Sequence, residues 1–379
     1  MKIAFLTTDN REQLKRYEKD LPFFGTAPAA VLEGFKDLGK EIEVHVISCT
    51  RRRMNAPEKI ADNIWFHQPY VPHLGWGRSL FLGCALTVRR LLKKIDPDIV
   101  HGQGTERDCA MGAVLSGYPN VLTIHGNMRV HAKRSENVDS RYYKMASALE
   151  TFCLKRTDGV VAISSYTQSL VQPLNAKTWL VPNAAESRFF EARHRPPATP
   201  RILFVGSMDE RKNPLNLLRV CEPLLRKGEC TIALAGQIQK NNAYGEELEK
   251  AVHSLPGVSA LGHIDRQQLV SELASSSMLV LPTFEDNCPM VVLEAMASGL
   301  PVAASRVGGI PDLITHDADG LMFDPHDLDD MRSIIERLVR NPELRARLSE
   351  AAKAKAQAEF LPRRIAKRHV EIYREVLNR

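Results

Sequence analysis

Short apolar runs separated by amphipathic stretches recur along the whole chain, the pattern expected of parallel α/β sheets. In the first half, Lys2–Thr7, Glu43–Ser48, Ile99–His101, Val121–Ile124, Val160–Ile163 and Thr178–Val181 read as strands. Helical stretches such as Ala29–Leu38 and Thr87–Lys94 lie between them, and the Asp96-Pro97-Asp98 turn leads straight into Ile99–His101. From Ala192 the text is ARHRPPATPR, with three prolines in five residues. Neither a helix interior nor a central strand accepts that run, so a domain boundary is expected there. A second series follows: Ile202–Val205, Thr231–Ala235, Val258–Leu261, Met278–Leu281 and Pro301–Ala304, each with a turn and a helix after it. Asp327 to Arg379 is helical by period, and eight basic residues face three acidic ones from Lys353 onward. The expected architecture is α/β, with two Rossmann-like doubly wound sheets over residues 1–195 and 196–360 and a terminal helix over 361–379. Such sheets place ligands at the carboxyl ends of their strands.

Length and composition agree. A chain of 379 residues exceeds one ordinary core, and 44% apolar with 25% charged residues is normal for a globular protein. There is no 18-residue apolar run to cross a bilayer. The apolar run after Lys2 is too short for a signal peptide and reads as a buried first strand, so a cytoplasmic location is expected. Seven scattered cysteines offer no Cys-x-x-Cys pair or Cys/His cluster, and they read as small buried thiols in a reducing compartment. Charge is uneven: residues 1–195 carry +8 and the remainder −2. That asymmetry suits an acidic partner or an anionic membrane surface, or is simply a solvated basic face. No nucleic-acid motif accompanies it.

The most informative stretch is Phe284 to Ile314, FEDNCPMVVLEAMASGLPVAASRVGGIPDLI. A polar loop, Glu285-Asp286-Asn287, precedes Pro289, which suits a first helical turn. The helix Met290–Ser298 is expected to end at Gly299 in the left-handed conformation, before the strand Leu300–Ala304 and the Gly308-Gly309 turn. A helix start of this kind exposes backbone N–H groups that bind phosphate. Glu294, just over one turn inside, could accept from a ribose diol, and Asp286 and Asn287 could meet sugar hydroxyls. The plainer alternative makes Asp286 or Asn287 a helix cap and Glu294 a solvated surface residue.

This stretch resembles the signature of family 4 of the retaining glycosyltransferases, which have the GT-B fold of two Rossmann-like domains facing a central cleft. The signature has two acids with seven residues between them, then Ala-Met-Ala, Gly-x-Pro-Val and Gly-Gly; Asp286 and Glu294 have that spacing. The family's first acid is usually Glu; here Glu285 stands one residue early, and Asp286 is taken as its counterpart. Residues 202–213, ILFVGSMDERKN, are similar to the strand whose following Arg and Lys bind the donor diphosphate. Lys212 holds the Lys position, whereas Ser207 replaces the Arg; Arg211 is a neighbouring cation, but adjacent side chains rarely point the same way. Phe24-Gly25-Thr26-Ala27 resembles a Gly-rich loop near donor and acceptor, where glycine permits close backbone approach. Thr123-Ile124-His125-Gly126 resembles the strand end whose histidine faces the donor sugar; otherwise His125 is a structural strand-end residue. Gly262-His263-Ile264 resembles the segment that meets the nucleobase. The terminal helix is expected, on the same resemblance, to return to the first domain.

The resemblance implies catalytic roles for His125, Asp286 and Lys212. It implies donor binding by Gly25, Thr26, Gly206, Ser207, Arg211, Lys212, His263, Ile264, Asp286, Asn287, Cys288, Pro289, Met290, Val291 and Glu294. The reaction implied is retaining transfer of a hexose from a nucleotide-sugar, with UDP the commonest donor base, to a saccharide or lipid-linked acceptor, without cofactor or metal. An epimerase of the same fold and a non-catalytic nucleotide-sugar-binding protein are the alternatives. No Gly-x-Gly-x-x-Gly follows the first strand and no Walker loop is present; Gly102-Gln103-Gly104 is only a lone Gly-x-Gly. The segment from Tyr70 to Leu82 mixes aromatics, leucines and Arg78 near Arg51-Arg52-Arg53. It suits peripheral contact with an anionic membrane, stacking of Trp76 and Tyr70 on an acceptor sugar, or core packing.

Overall fold

The computed structural model describes residues 1–133, 140–239 and 242–378. The chain divides into two compact units, Met1–Ala184 with Pro362–Arg379, and Ala185–Leu361. The first division falls eleven residues before the proline-rich stretch, because the intervening segment is bonded to the second unit. The Arg195 amide donates to the Ala274 carbonyl at 2.7 Å, and His194 Nε2 lies 2.7 Å from the Ser276 carbonyl. Proline ends regular structure, but only packing decides to which core the linker adheres.

Among its described residues the first unit contains eight strands: β1 (Lys2–Leu6), β2 (Glu43–Ile47), β3 (Lys59–Ala61), β4 (Ile64–His67), β5 (Ile99–Gln103), β6 (Asn120–Ile124), β7 (Val160–Ala162) and β8 (Thr178–Leu180). Their order is β3-β4-β2-β1-β5-β6-β7-β8, and every neighbouring pair is parallel except β3 with β4. Strand alternation sorts the apolar residues of β1 into two cores. Ile3 and Phe5 pack with Phe35 and Tyr373, whereas Ala4 and Leu6 pack with Val88, Leu92 and Met111. The helices Thr26–Leu38 and Pro362–Leu377 cover the first face, and Leu82–Ile95 and Asp108–Val114 the second. The terminal helix does belong to this unit, and Gly34 admits it: a Cβ there would overlap the Pro362 carbonyl. The edge hairpin β3–β4 was not read from the sequence, since three- and four-residue strands carry too little period.

The second unit has six parallel strands, β9 (Arg201–Val205), β10 (Thr231–Ala235), β11 (Val258–Gly262), β12 (Met278–Leu281), β13 (Val302–Ser305) and β14 (Leu321–Phe323). Their order is β11-β10-β9-β12-β13-β14. Strand order reverses between β9 and β12, so the loops leaving their carboxyl ends diverge around one crevice. In the first unit the same reversal falls between β1 and β5.

All seven cysteines are buried, and none forms a disulfide among the described residues. Three-dimensional packing brings Cys49, Cys84 and Asp108 within 4.8 Å of one another, a gathering that spacing along the chain did not reveal. A hydrogen bond that the Cys49 thiol donates to Cys84, together with burial, holds Cys49 well above its ordinary pKa. Trp76 is 2% exposed, with its indole N–H donating to the Val71 carbonyl at 3.1 Å. It is a core residue under the Arg51 and Arg107 guanidiniums, so of the readings open for Trp76 it fits core packing. No helix among the described residues is long and apolar enough to cross a membrane.

Candidate functional site

In the second unit, three loops carry the residues singled out above. The β9 loop, 206–213, runs into the helix Pro214–Arg226; the β12 loop, 282–289, runs into the helix Met290–Ala297. His263 and Ile264 lie in the third, between β11 and the helix Arg266–Ala274. Two bonds tie the first pair of loops together at the strand reversal. The Phe284 amide donates to the Arg211 carbonyl at 2.8 Å, and the Thr283 hydroxyl donates to the same carbonyl at 3.0 Å.

Those bonds bring Lys212 and Asp286 together as an ion pair across 74 positions of sequence. Asp286 also accepts from the Asn287 amide at 3.0 Å. Arg211 Nη1 donates to the Glu285 carbonyl at 3.1 Å, so both adjacent cations reach the same loop. The expectation that neighbouring side chains diverge therefore fails here: the turn curls the chain around the acidic loop. Asp209 organises that turn, accepting from the Ser207 hydroxyl at 2.6 Å and the Lys212 amide at 2.9 Å. Gly206 leads into it. The Gly308-Gly309 pair closes the other side, where Gly309 donates to the Asp286 carbonyl at 3.1 Å. Gly308 has φ +56°, and a Cβ there would overlap that carbonyl, so glycine is required twice over.

Pro289 is the residue before the helix rather than its first turn, with φ −65° and ψ 113°. Cys288 is buried, whereas Met290 and Val291 are only half-buried at the helix start. Gly299 ends the segment at φ +72°, as expected. Glu294 is 1% exposed, which excludes the solvated-surface reading. Burial lifts its carboxyl above the usual range, and Arg266 acts against that. Arg266 Nη1 lies 2.7 Å from Glu294 Oε1, while the same guanidinium donates to Glu186 through Nε at 2.8 Å. Arg266 pairs with Glu294 by charge, and Oε1 of this buried carboxylate keeps acceptor capacity beyond that pair. An oriented hydroxyl is the natural group to meet it. His263 is exposed, and Gly262, at φ +66°, offers its carbonyl to the Gly236 amide at 2.8 Å.

The remaining candidates lie in the first unit. Gly25 precedes the helix Thr26–Leu38 with φ −55°, and a Cβ there would make only ordinary contact with Pro28. Backbone shape and protein packing thus do not by themselves demand glycine at this position. Thr26 begins the helix. His125 follows β6 directly, and its Nε2 lies 2.8 Å from Gln103 Oε1. Burial lowers its pKa to about 4, so the imidazole is neutral near pH 7. The loop after it is pinned by two acids that the sequence did not flag. Glu106 accepts from the Gly126 amide at 3.0 Å, and buried Glu150 accepts from the Met128 amide at 3.0 Å and the Thr105 hydroxyl at 2.6 Å. Asp209 carried a faint local signal, a turn acid two residues after Ser207. Arg266, Glu186, Glu106 and Glu150 carried none, because their partners lie 20 or more residues away.

Comparisons with known proteins speak to the fold and the family. Residues 186–355 match the model of glycosyl transferases group 1, and residues 30–188 match that of glycosyltransferase family 4. The chain is 34% identical over 164 residues to the sulfoquinovosyl transferase SQD2 of Arabidopsis thaliana, covering 42% of this chain and 31% of that protein. It therefore spans about a third of that relative's length. It is 24% identical over 326 residues to an uncharacterized glycosyltransferase of Methanocaldococcus jannaschii, covering 83% and 85% of the two chains. Among solved structures, Anabaena HepE in complex with UDP and glucose has a TM-score of 0.71 at 17% identity, covering 99% of this chain and 100% of that one. Two adjoining family models spanning nearly the whole chain, on two doubly wound parallel sheets, place the protein in the GT-B glycosyltransferases of family 4.

Proposed function

We propose that the protein is a retaining glycosyltransferase that moves a hexose from a nucleotide-sugar, UDP-linked by preference, to a saccharide or lipid-linked acceptor in glycan or cell-surface polysaccharide synthesis. The observation that carries this reading is the set of groups around the strand reversal of the second unit. There, Lys212 is held against Asp286, and Glu294 presents a buried oxygen with acceptor capacity beyond its Arg266 pair. Lys212 suits a diphosphate, Asp286 and Asn287 the sugar, and Glu294 the ribose diol. The UDP preference is supported by the fold shared with HepE, whose structure holds UDP and glucose.

In the proposed step, the bond between the anomeric carbon and the diphosphate oxygen breaks as the acceptor oxygen bonds on the same face. A phosphate oxygen of the donor takes the acceptor's proton. Charge grows on the diphosphate, and Lys212 stabilises it in a partly water-excluded site. A lysine in that place supplies the charge a metal would otherwise bring, so activity is expected to survive chelation by EDTA. Loss in chelator counts against that part, and a glycosylated carboxylate found by mass spectrometry replaces same-face attack with a covalent intermediate.

A lipid-linked acceptor is favoured by one observation. Of the ten exposed large apolar side chains among the described residues, five (Tyr70, Leu74, Leu80, Leu82 and Leu86) fall within seventeen residues. The helix Leu82–Ile95 continues from them with exposed Arg89, Arg90, Lys93 and Lys94. Leucines beside cations suit peripheral docking on an anionic bilayer. Sedimentation with phosphatidylglycerol vesicles but not phosphatidylcholine vesicles, lost in Leu82→Ser/Leu86→Ser, is the expected result.

The deciding experiment is a thermal-shift screen against UDP, GDP, ADP and their sugars. Selective stabilisation by one nucleotide, lost in Glu294→Ala and Lys212→Ala, is expected. A flat response to every nucleotide overturns the donor site. Release of nucleoside diphosphate only when acceptor is present separates the transferase from an epimerase, and binding without turnover points to the binding protein.

A further inference from the structure

Behind His125 runs a chain of buried polar side chains that no motif announces. His125 Nε2 lies 2.8 Å from Gln103 Oε1, and Gln103 Nε2 lies 2.9 Å from His101 Nε2. His101 Nδ1 then lies 2.6 Å from the Tyr373 hydroxyl, on the terminal helix 272 positions away. His101 and Tyr373 are fully buried, and Gln103 is 8% exposed. Such a chain is costly to bury unless each group is paired, and its directions are set by chemistry.

The amide of Gln103 fixes those directions. Its oxygen can only accept, so the His125 nitrogen that meets it carries the proton. Its NH₂ can only donate, so His101 Nε2 is the bare nitrogen, with the Thr123 hydroxyl also donating to it across 2.7 Å. A neutral His101 then has its proton on Nδ1, aimed at the Tyr373 oxygen. Burial holds His101 well below the ordinary imidazole pKa, with His369 and His125 adding to the effect. His369 stands beside the chain, its ring centre 5.2 Å from that of His101 and its own Nδ1 buried without a hydrogen-bond partner.

We infer that Gln103, His101 and Tyr373 are positioning residues that lock His125 as its Nε2–H tautomer, leaving Nδ1 as its only acceptor nitrogen. The terminal helix thereby contributes to the chemistry of a strand end remote from it in sequence. This rests on the reading of His125 as a contact to the transferred sugar. A sugar hydroxyl reaching Nδ1 meets an acceptor, whereas the other tautomer presents a donor; the lock thus selects which hydroxyl orientation is held.

Imidazole ¹⁵N NMR on the full chain at pH 7 tests it directly. Nε2–H for His125 and Nδ1–H for His101 are expected. In Gln103→Leu, with far-UV dichroism unchanged, His125 should become a mixture of tautomers and kcat should fall about tenfold, the worth of one hydrogen bond, with donor KM little changed. Tyr373→Phe keeps the ring packing and should shift the His101 tautomer, with a fall in kcat of about threefold or less. An Nδ1–H His125 in the native protein, or an unchanged tautomer in Gln103→Leu, overturns the inference. So does unchanged turnover in Gln103→Leu while His125→Ala is impaired. Full activity in His125→Ala removes the underlying sugar-contact reading instead, and the tautomers still report on the chain itself.

Discussion

The two units place their candidate chemistry at the same kind of position, a strand reversal in a parallel sheet, yet build it from opposite materials. In the second unit the groups are ions: Lys212 with Asp286, and Arg266 between Glu186 and Glu294. Lys212, Asp286 and Glu294 sit on stretches read almost continuously from Gly206 to Asn213 and from Phe284 to Glu294, whereas Arg266 and Glu186 come from outside them. In the first unit the groups are neutral and buried, and His125, Gln103, His101 and Tyr373 come from three separate parts of the chain. The difference follows from the tasks proposed for them. A diphosphate needs fixed charge, which must stay near water or be paired; orienting a sugar hydroxyl needs a defined donor or acceptor, which burial protects.

The sharpest way to break this contrast is to remove the charge. Lys212→Ala is expected to lower kcat by about 100-fold or more, on the scale of deleting one group that stabilises developing charge, measured as steady-state transfer. Glu294→Gln keeps the volume but weakens the acceptor. It should cost about 10- to 100-fold in nucleotide affinity by calorimetry, as hydrogen bonds to charged groups do. An equal loss from Gln103→Leu would erase the distinction between the two sites.

In the first unit, structural changes should dominate instead. Gly34→Ala pushes a methyl onto the Pro362 carbonyl and should destabilise the chain by about 1–3 kcal/mol in urea unfolding, through loosening of the terminal helix. The smallest effect is on pH dependence. Burial lowers His369 to about 3, with His125 and Arg368 adding to it, and burial lowers His125 to about 4, both below the 6.5 of a free imidazole. The unfolded chain therefore binds protons that the folded one refuses. Stability is fully present above pH 6.5 and should fall as pH drops from there toward 4 and then 3. His369→Phe should flatten the low-pH end of a plot of Tm against pH.

The second unit was largely legible from the chain. The spacing of Asp286 and Glu294, the left-handed Gly299 and the β9 loop all appear where the pattern put them. Local rules explain this: a helix start, a glycine turn and a strand end are each settled within a few residues. The convergence of Arg211 and Lys212 was misread, because it depends on how the Asp209 turn curls. Gln103 was seen only as the middle of a weak Gly-x-Gly.

What the sequence determined by itself was therefore the local and periodic part: alternating strands and helices, two sheets and a signature loop whose members lie within one supersecondary unit. What only the tertiary structure decided was everything formed between distant segments. It assigned residues 185–195 to the second unit, buried Trp76, gathered Cys49, Cys84 and Asp108, bridged Glu186 to Glu294 through Arg266, and brought Tyr373 to His101. The reason is physical. Propensity and period act over a few residues, whereas hydrogen bonds and ion pairs act only over a few ångströms. Which distant groups come that close is settled by the packing of whole helices against a sheet.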